Sequence, residues 1–135
     1  MKATELRIGN YLYYEATTHV VSGILGNRVY SWWVKDGKAV IEYETKDVGG
    51  AQVENPYIDN INRYEPIPLT EEWLLKFGFK SKSYGYGDSE WKQWNNGKIT
   101  LNGFRETLSG VDCEYIHQLQ NLYFALTGEE LEIKL

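Results

Sequence analysis

The chain has 135 residues, with 14 Lys+Arg against 19 Asp+Glu and a formal net charge of −5. That length suits a single domain spanning 1–135 with its own core, because a chain this size removes roughly two-thirds of its unfolded surface from water without disulfide staples. The acidic balance argues against duplex nucleic acid and anionic membranes as partners, since both are held by clustered cations, and only Lys76, Lys80 and Lys82 lie close together.

Cys113 is the sole cysteine, which points to a reducing compartment and, with it, the cytoplasm. The start Met1-Lys2-Ala3-Thr4-Glu5-Leu6-Arg7 lacks the apolar region of a signal peptide. No stretch approaches the ~18 apolar residues of a membrane span. The composition stands out in its aromatics: 15% of residues, including eleven Tyr and five Trp.

The first half, residues 5 to 65, reads as short strands. Tyr11–Tyr14 and His19–Leu25 flank a turn at Glu15–Thr18, and Arg28–Val34 follows Gly26-Asn27. Asp36-Gly37 then predicts a type I′ hairpin turn, with Ala39–Glu44 as the return strand. Strands at this spacing imply a small SH3-like barrel or a bent antiparallel meander. The run from Lys46 to Pro56 reads as a loop, and Tyr57–Ile61 as a closing strand or 3-10 turn anchored by Ile58 and Ile61.

Glu65-Pro66-Ile67-Pro68 is stiff and extended, because each proline fixes its own φ and restrains its predecessor. A helix-hairpin-helix half, 66–135, follows it. Thr70 caps a short helix whose first-turn Glu71 and Glu72 sit at the positive end of the dipole. Trp73, Leu74 and Phe77 form its apolar stripe, and Gly78 ends it. The run Ser83–Asp88 reads as a loop. Glu90–Trp94 and Lys98–Asn102 flank the turn signal Asn95-Asn96-Gly97. The last helix spans about Asp112 to Thr127, with Ile116, Leu119, Leu122, Tyr123 and Leu126 on one face and Gly128 as its stop. The tail Glu129–Glu132 reads as frayed or as an edge strand. Strands and helices segregate, so the class is α+β.

No catalytic motif emerges. His19 and His117 have no neighbouring His or Cys at metal-ligand spacing, and no metal or cofactor is implied. Cys113 and His117 stand four apart near the start of the last helix, the sharpest enzymatic pairing available, but thiol catalysis ordinarily draws the two residues from different elements. Gly85-Tyr86-Gly87 lacks the remainder of a phosphate loop. Carboxylates such as Glu42, Asp59 and Glu71 fall at solvated faces and caps, so a small hydrolase is a third choice.

The aromatics are the best lead. Trp32 and Trp33 are adjacent on one strand and must point to opposite faces, as must Tyr13 and Tyr14. Trp91 and Trp94 flank Lys92 in the second hairpin. An outward aromatic is an interface anchor or a stacking surface. The leading expectation is therefore a non-enzymatic binding module that contacts a protein or a small flat ligand through these side chains. The alternative is sequestration of a nucleotide-like molecule, with Arg28, Arg63 or Arg105 meeting the phosphate.

Three blocks carry a resemblance: Lys2–Asn10; Glu65-Pro66-Ile67-Pro68-Leu69-Thr70-Glu71-Glu72-Trp73 through Phe79; and His117–Leu131. They resemble a family of small proteins of gut bacteria and their phages for which no activity is established. The resemblance implies a prokaryotic or phage intracellular setting and nothing chemical.

Overall fold

In a computed structural model of the chain, the described residues are 1–45, 49–50, 52–87, 91–102, 106–107 and 113–134. The chain divides into two compact units, Met1–Pro66 and Ile67–Leu135. The break falls inside the proline-stiffened run that the sequence marks. The class is α+β, with antiparallel sheets and two helices.

In the first unit, β1 (Tyr11–Tyr14), β2 (Thr17–Leu25), β3 (Arg28–Lys35) and β4 (Lys38–Val40) form an antiparallel meander. The turn between β3 and β4 is the expected Asp36-Gly37, with φ of 52° and 77°. The turn between β1 and β2 also has two positive φ values, but at Glu15 (50°) and Ala16 (63°). An L-residue pays roughly 1–2 kcal/mol for that conformation.

The expected return strand Ala39–Glu44 breaks after Val40. β5 (Tyr43–Thr45) leaves the main sheet and pairs with β6 (Gln52–Glu54) as a separate ribbon. A loop over Lys46–Pro56 is thus corrected at Gln52–Glu54, while residues 46–48 and 51 lie outside the described residues. Gly49 and Gly50, at φ 74° and 65°, supply the reversal that lets the flanking segments meet. β7 (Tyr57–Asn60) pairs with the first half of β3, from Arg28↔Asn60 to Ser31↔Tyr57, whereas β4 pairs with the second half.

A 3-10 turn, Ile61–Arg63, leads from β7 into β8 (Tyr64–Pro66), which pairs with β1. No ladder joins β7 to β8 among the described residues, so pairing does not close the sheet into a barrel. Strand parity puts Leu12, Val21 and Val29 on one face, where Leu6, Ile61 and Tyr64 complete a core. Ile61 anchors its segment as expected; Ile58 does not, being 47% exposed.

In the second unit, α1 (Glu71–Lys76) forms where its cap signal lies, with Thr70 Oγ1 accepting from the Trp73 N–H at 3.3 Å. Trp73, Leu74 and Phe77 are buried. Next comes β9 (Lys80–Tyr84), a strand where only a loop from Ser83 was expected. It pairs with β10 (Trp91–Asn95), which pairs with β11 (Thr100–Asn102) and onward with β12 (Glu106–Thr107). The expected hairpin is therefore the middle of a four-stranded sheet. Its turn is held by Asn96 Oδ1, which accepts from the N–H groups of Lys98 and Ile99, and by Asn95 Oδ1, which accepts from Gly97.

α2 runs Ile116–Thr127 and starts later than expected; Asp112, the expected cap, lies outside the described residues. Gln118 Oε1 instead reaches back to the N–H groups of Glu114 and Tyr115. The buried stripe is Ile116, His117, Leu119, Gln120 and Tyr123. Leu126, placed on that face by periodicity, is 56% exposed. The tail is neither frayed nor a strand: Leu131 is buried, its carbonyl accepts from Gln120 Nε2, and the Lys134 N–H donates to the Lys76 carbonyl at 2.7 Å.

Candidate functional site

Each unit carries an aromatic cluster, and the two differ in chemistry. In the first unit the pleat brings Tyr14, His19, Ser31, Tyr57, Asp59 and Tyr64 to one face, because Leu12↔His19, Tyr14↔Tyr64, Ser31↔Tyr57 and Val29↔Asp59 are register partners. Tyr14 lies 4.7 Å from the Tyr64 ring centroid and 5.1 Å from that of His19, which meets Tyr57 edge-on at 4.9 Å.

Several polar atoms of this cluster are paired with one another. Ser31 Oγ lies 2.9 Å from His19 Nδ1 and 2.8 Å from the Tyr64 hydroxyl, which also donates to the Val29 carbonyl. The Tyr14 hydroxyl donates to Asp59 Oδ2 at 2.7 Å. That bond, with burial and the Asp59 charge, pushes the Tyr14 phenol up to about 12. The same bond holds the Asp59 carboxyl below its ordinary value. Burial lowers His19 and raises Tyr64. His19 and Ser31 are both buried.

The second cluster is open. On β9 the residues Lys80, Lys82 and Tyr84 share one face, and register places Asn95, Gln93 and Trp91 of β10 beside them. Thr100 extends this face onto β11, where its hydroxyl accepts from Asn95 Nδ2 at 2.6 Å. All five β9 residues are exposed. The opposite face carries Trp94 and Leu101, both buried. Tyr84 and Trp91 stack across the two strands, with centroids 4.9 Å apart and an interplanar angle of 22°. They remain 36% and 46% exposed. Lys82 Nζ sits 5.4 Å from the Tyr84 ring. A concavity of about 460 Å³ is lined by Lys80, Lys82, Gln93 and Asn95 among others.

The nine residues singled out from sequence separate accordingly. Trp32 and Trp94 are buried. Trp33 is 37% exposed, opposite Trp32 as parity requires, with Lys35 Nζ 5.9 Å from its ring. Tyr13 and Tyr14 are half-buried; Tyr13 lines a concavity of about 380 Å³ with Glu15, Ala16, Arg63 and Glu65. Arg63 lies 3.6 Å from Glu15 and 3.8 Å from Asp59. Arg28 is exposed, and Arg105 lies outside the described residues. Trp91 alone joins an exposed stacked pair.

Sequence reasoning missed Lys80, Lys82, Tyr84 and Gln93 as one surface. The available signal was the alternation Lys-x-Lys-x-Tyr, paired with Trp-x-Gln-x-Asn across the turn. Cys113 is buried and precedes α2, so Cys113 and His117 do not share a helix face. Among the described residues no group of His, Cys, Asp and Glu could hold a metal ion, and no helix is long and apolar enough to cross a membrane. No family model, curated protein or solved structure matches the chain.

Proposed function

We propose that the chain is a non-enzymatic binding module whose contact surface is the open face of β9 and β10. The observation that carries this reading is the stacked pair Tyr84–Trp91, held in the open by backbone pairing. A large apolar surface kept rigid and uncovered is what contact hot spots require, since little rotamer freedom is lost on binding. Beside it, Gln93 and Asn95 offer amide donors and acceptors.

The first unit acts in this reading as scaffold. We infer an SH3-like small barrel, open along one seam: the order β8-β1-β2-β3-β7 with a 3-10 turn between its two end strands supports it. Sequestration of a nucleotide by arginine finds less support, because carboxylates flank Arg63 on two sides. Hydrolysis through Cys113 finds less support too, because its thiol is enclosed.

The test is tryptophan fluorescence during titration with a panel of nucleotides, cyclic dinucleotides, oligonucleotides and oligosaccharides, run alongside affinity capture of proteins. The reading expects a bound species whose affinity falls in Trp91→Ala and holds in Trp33→Ala. A species bound equally by Trp91→Ala and wild type contradicts it.

A further inference from the structure

The lysines of the β9–β10 face differ from three others of their unit. Lys76, Lys92 and Lys98 each face a carboxylate, at 3.5 Å from Glu72, 3.5 Å from Glu71 and 3.4 Å from Glu129. Lys80 and Lys82 form no ion pair with any described residue. Among the described residues, then, two adjacent lysines of an acidic chain carry charge that no ion pair offsets. β9, β10 and β11 carry no carboxylate; the one on β12, Glu106, is the register partner of Asn102, which itself lies two strands away from Lys82 beyond Gln93.

The spacing adds order to that charge. Lys80, Lys82 and Tyr84 lie in a straight row spanning roughly 13 Å of extended strand. Parallel to them run Asn95, Gln93 and Trp91. The face thus has cations and amides along one stretch and a stacked aromatic pair at its end. Single-stranded nucleic acid has the complementary chemistry: phosphates for the lysines, base edges for the amides, and an unpaired base for the exposed ring. The interior of a duplex does not match, because a base stacked on both sides has no free face to lay on Trp91.

We propose that the open β9–β10 face binds a short segment of single-stranded nucleic acid, one base stacking on Trp91 and the backbone running past Lys82 and Lys80. This assignment rests on the binding-module reading and names the ligand class of the same surface. Because Tyr84 and Trp91 are already stacked, a base extends an existing stack and finds the platform preorganised.

The experiment is fluorescence anisotropy of labelled oligothymidylate and oligouridylate, each titrated with wild type, Trp91→Ala and a Lys80→Gln/Lys82→Gln double variant at several salt concentrations. All substituted positions are exposed, and circular dichroism checks that each variant keeps its fold. The expected results are saturable binding, a loss of roughly 5-fold to 100-fold in Trp91→Ala, and a slope of log K against log salt near −1.4 for two phosphates, close to zero in the lysine variant. A preference between the two oligomers separates DNA from RNA. Absence of binding to both oligomers, or binding that ignores all three substitutions, overturns the assignment. If the oligomers fail while a protein or sugar binds and is lost in Trp91→Ala, the ligand class falls and the binding-module reading stands. If nothing bound depends on Trp91, both fall.

Discussion

The two aromatic clusters use similar side chains to opposite ends. In the first unit the hydroxyls of Tyr14 and Tyr64 and the ring of His19 are tied into hydrogen bonds that finish the polar end of a core. In the second, Tyr84 and Trp91 stack on each other and remain 36% and 46% exposed. The contrast teaches that aromatic richness alone does not mark a site. The feature on which the proposed site rests is an aromatic pair held in place by backbone pairing, beside two lysines that no described residue pairs with.

The largest expected effect separates two tryptophans on one strand. Trp94→Ala should cost about 3–5 kcal/mol, as for truncation of an enclosed aromatic. Trp91→Ala should stay within about 1 kcal/mol, since it removes an exposed ring. Urea denaturation of both variants checks the pair, and equal losses would erase the distinction between core and surface on which the site rests.

Next is Tyr64→Phe. It leaves Ser31 with His19 as its remaining side-chain partner and frees the Val29 carbonyl, and should cost about 1–3 kcal/mol. The corresponding change Tyr84→Phe should leave thermal stability nearly untouched.

The pH dependence sharpens the same contrast. The Tyr14 phenol ionises less readily folded than unfolded, so the stability it contributes is full below pH 10 and is lost as pH rises toward 12. A thermal melt should fall through that window, and Tyr14→Phe should flatten the fall. His19 behaves in the opposite sense. Burial depresses its pKa, so its neutral form is favoured on folding, and its contribution is full above the ordinary histidine value near 6.5 and lost as pH drops below it. The smallest effect is a gain. Ala16→Gly relieves a left-handed alanine and should stabilise by up to about 1 kcal/mol, the unfolded-state freedom of glycine offsetting part of it.

Legibility in the sequence followed local chemistry. Thr70, Glu71, Glu72 and Gly78 mark α1 unaided, and Asp36-Gly37 marks its turn, because caps and positive-φ turns are written in a few adjacent residues. β9 escaped because Lys80-Ser81-Lys82-Ser83-Tyr84 has no apolar alternation; it is a strand only because β10 offers partners for its backbone. The turn at Glu15-Ala16 carries residues poorly suited to positive φ, so its type was hidden although its position was not. Leu126 fits the helical period of α2 yet points outward, since burial depends on what the rest of the unit covers. Trp32 and Trp33 show the limit most plainly: parity requires opposite faces, but only the fold decides that Trp32 is the buried one. The open face of β9 and β10 is written only as polar alternation, Lys-x-Lys-x-Tyr against Trp-x-Gln-x-Asn, which becomes one surface once β9 is known to be a strand.

The most direct test observes the tryptophan indoles by two-dimensional NMR while unlabelled single-stranded oligonucleotide is added. The indole N–H signal of Trp91 should shift progressively to saturation, with those of Trp73 and Trp94 staying in place. Shifts confined to Trp33, or no shift at Trp91 under conditions where the oligonucleotide is bound, would contradict a binding face on β9 and β10.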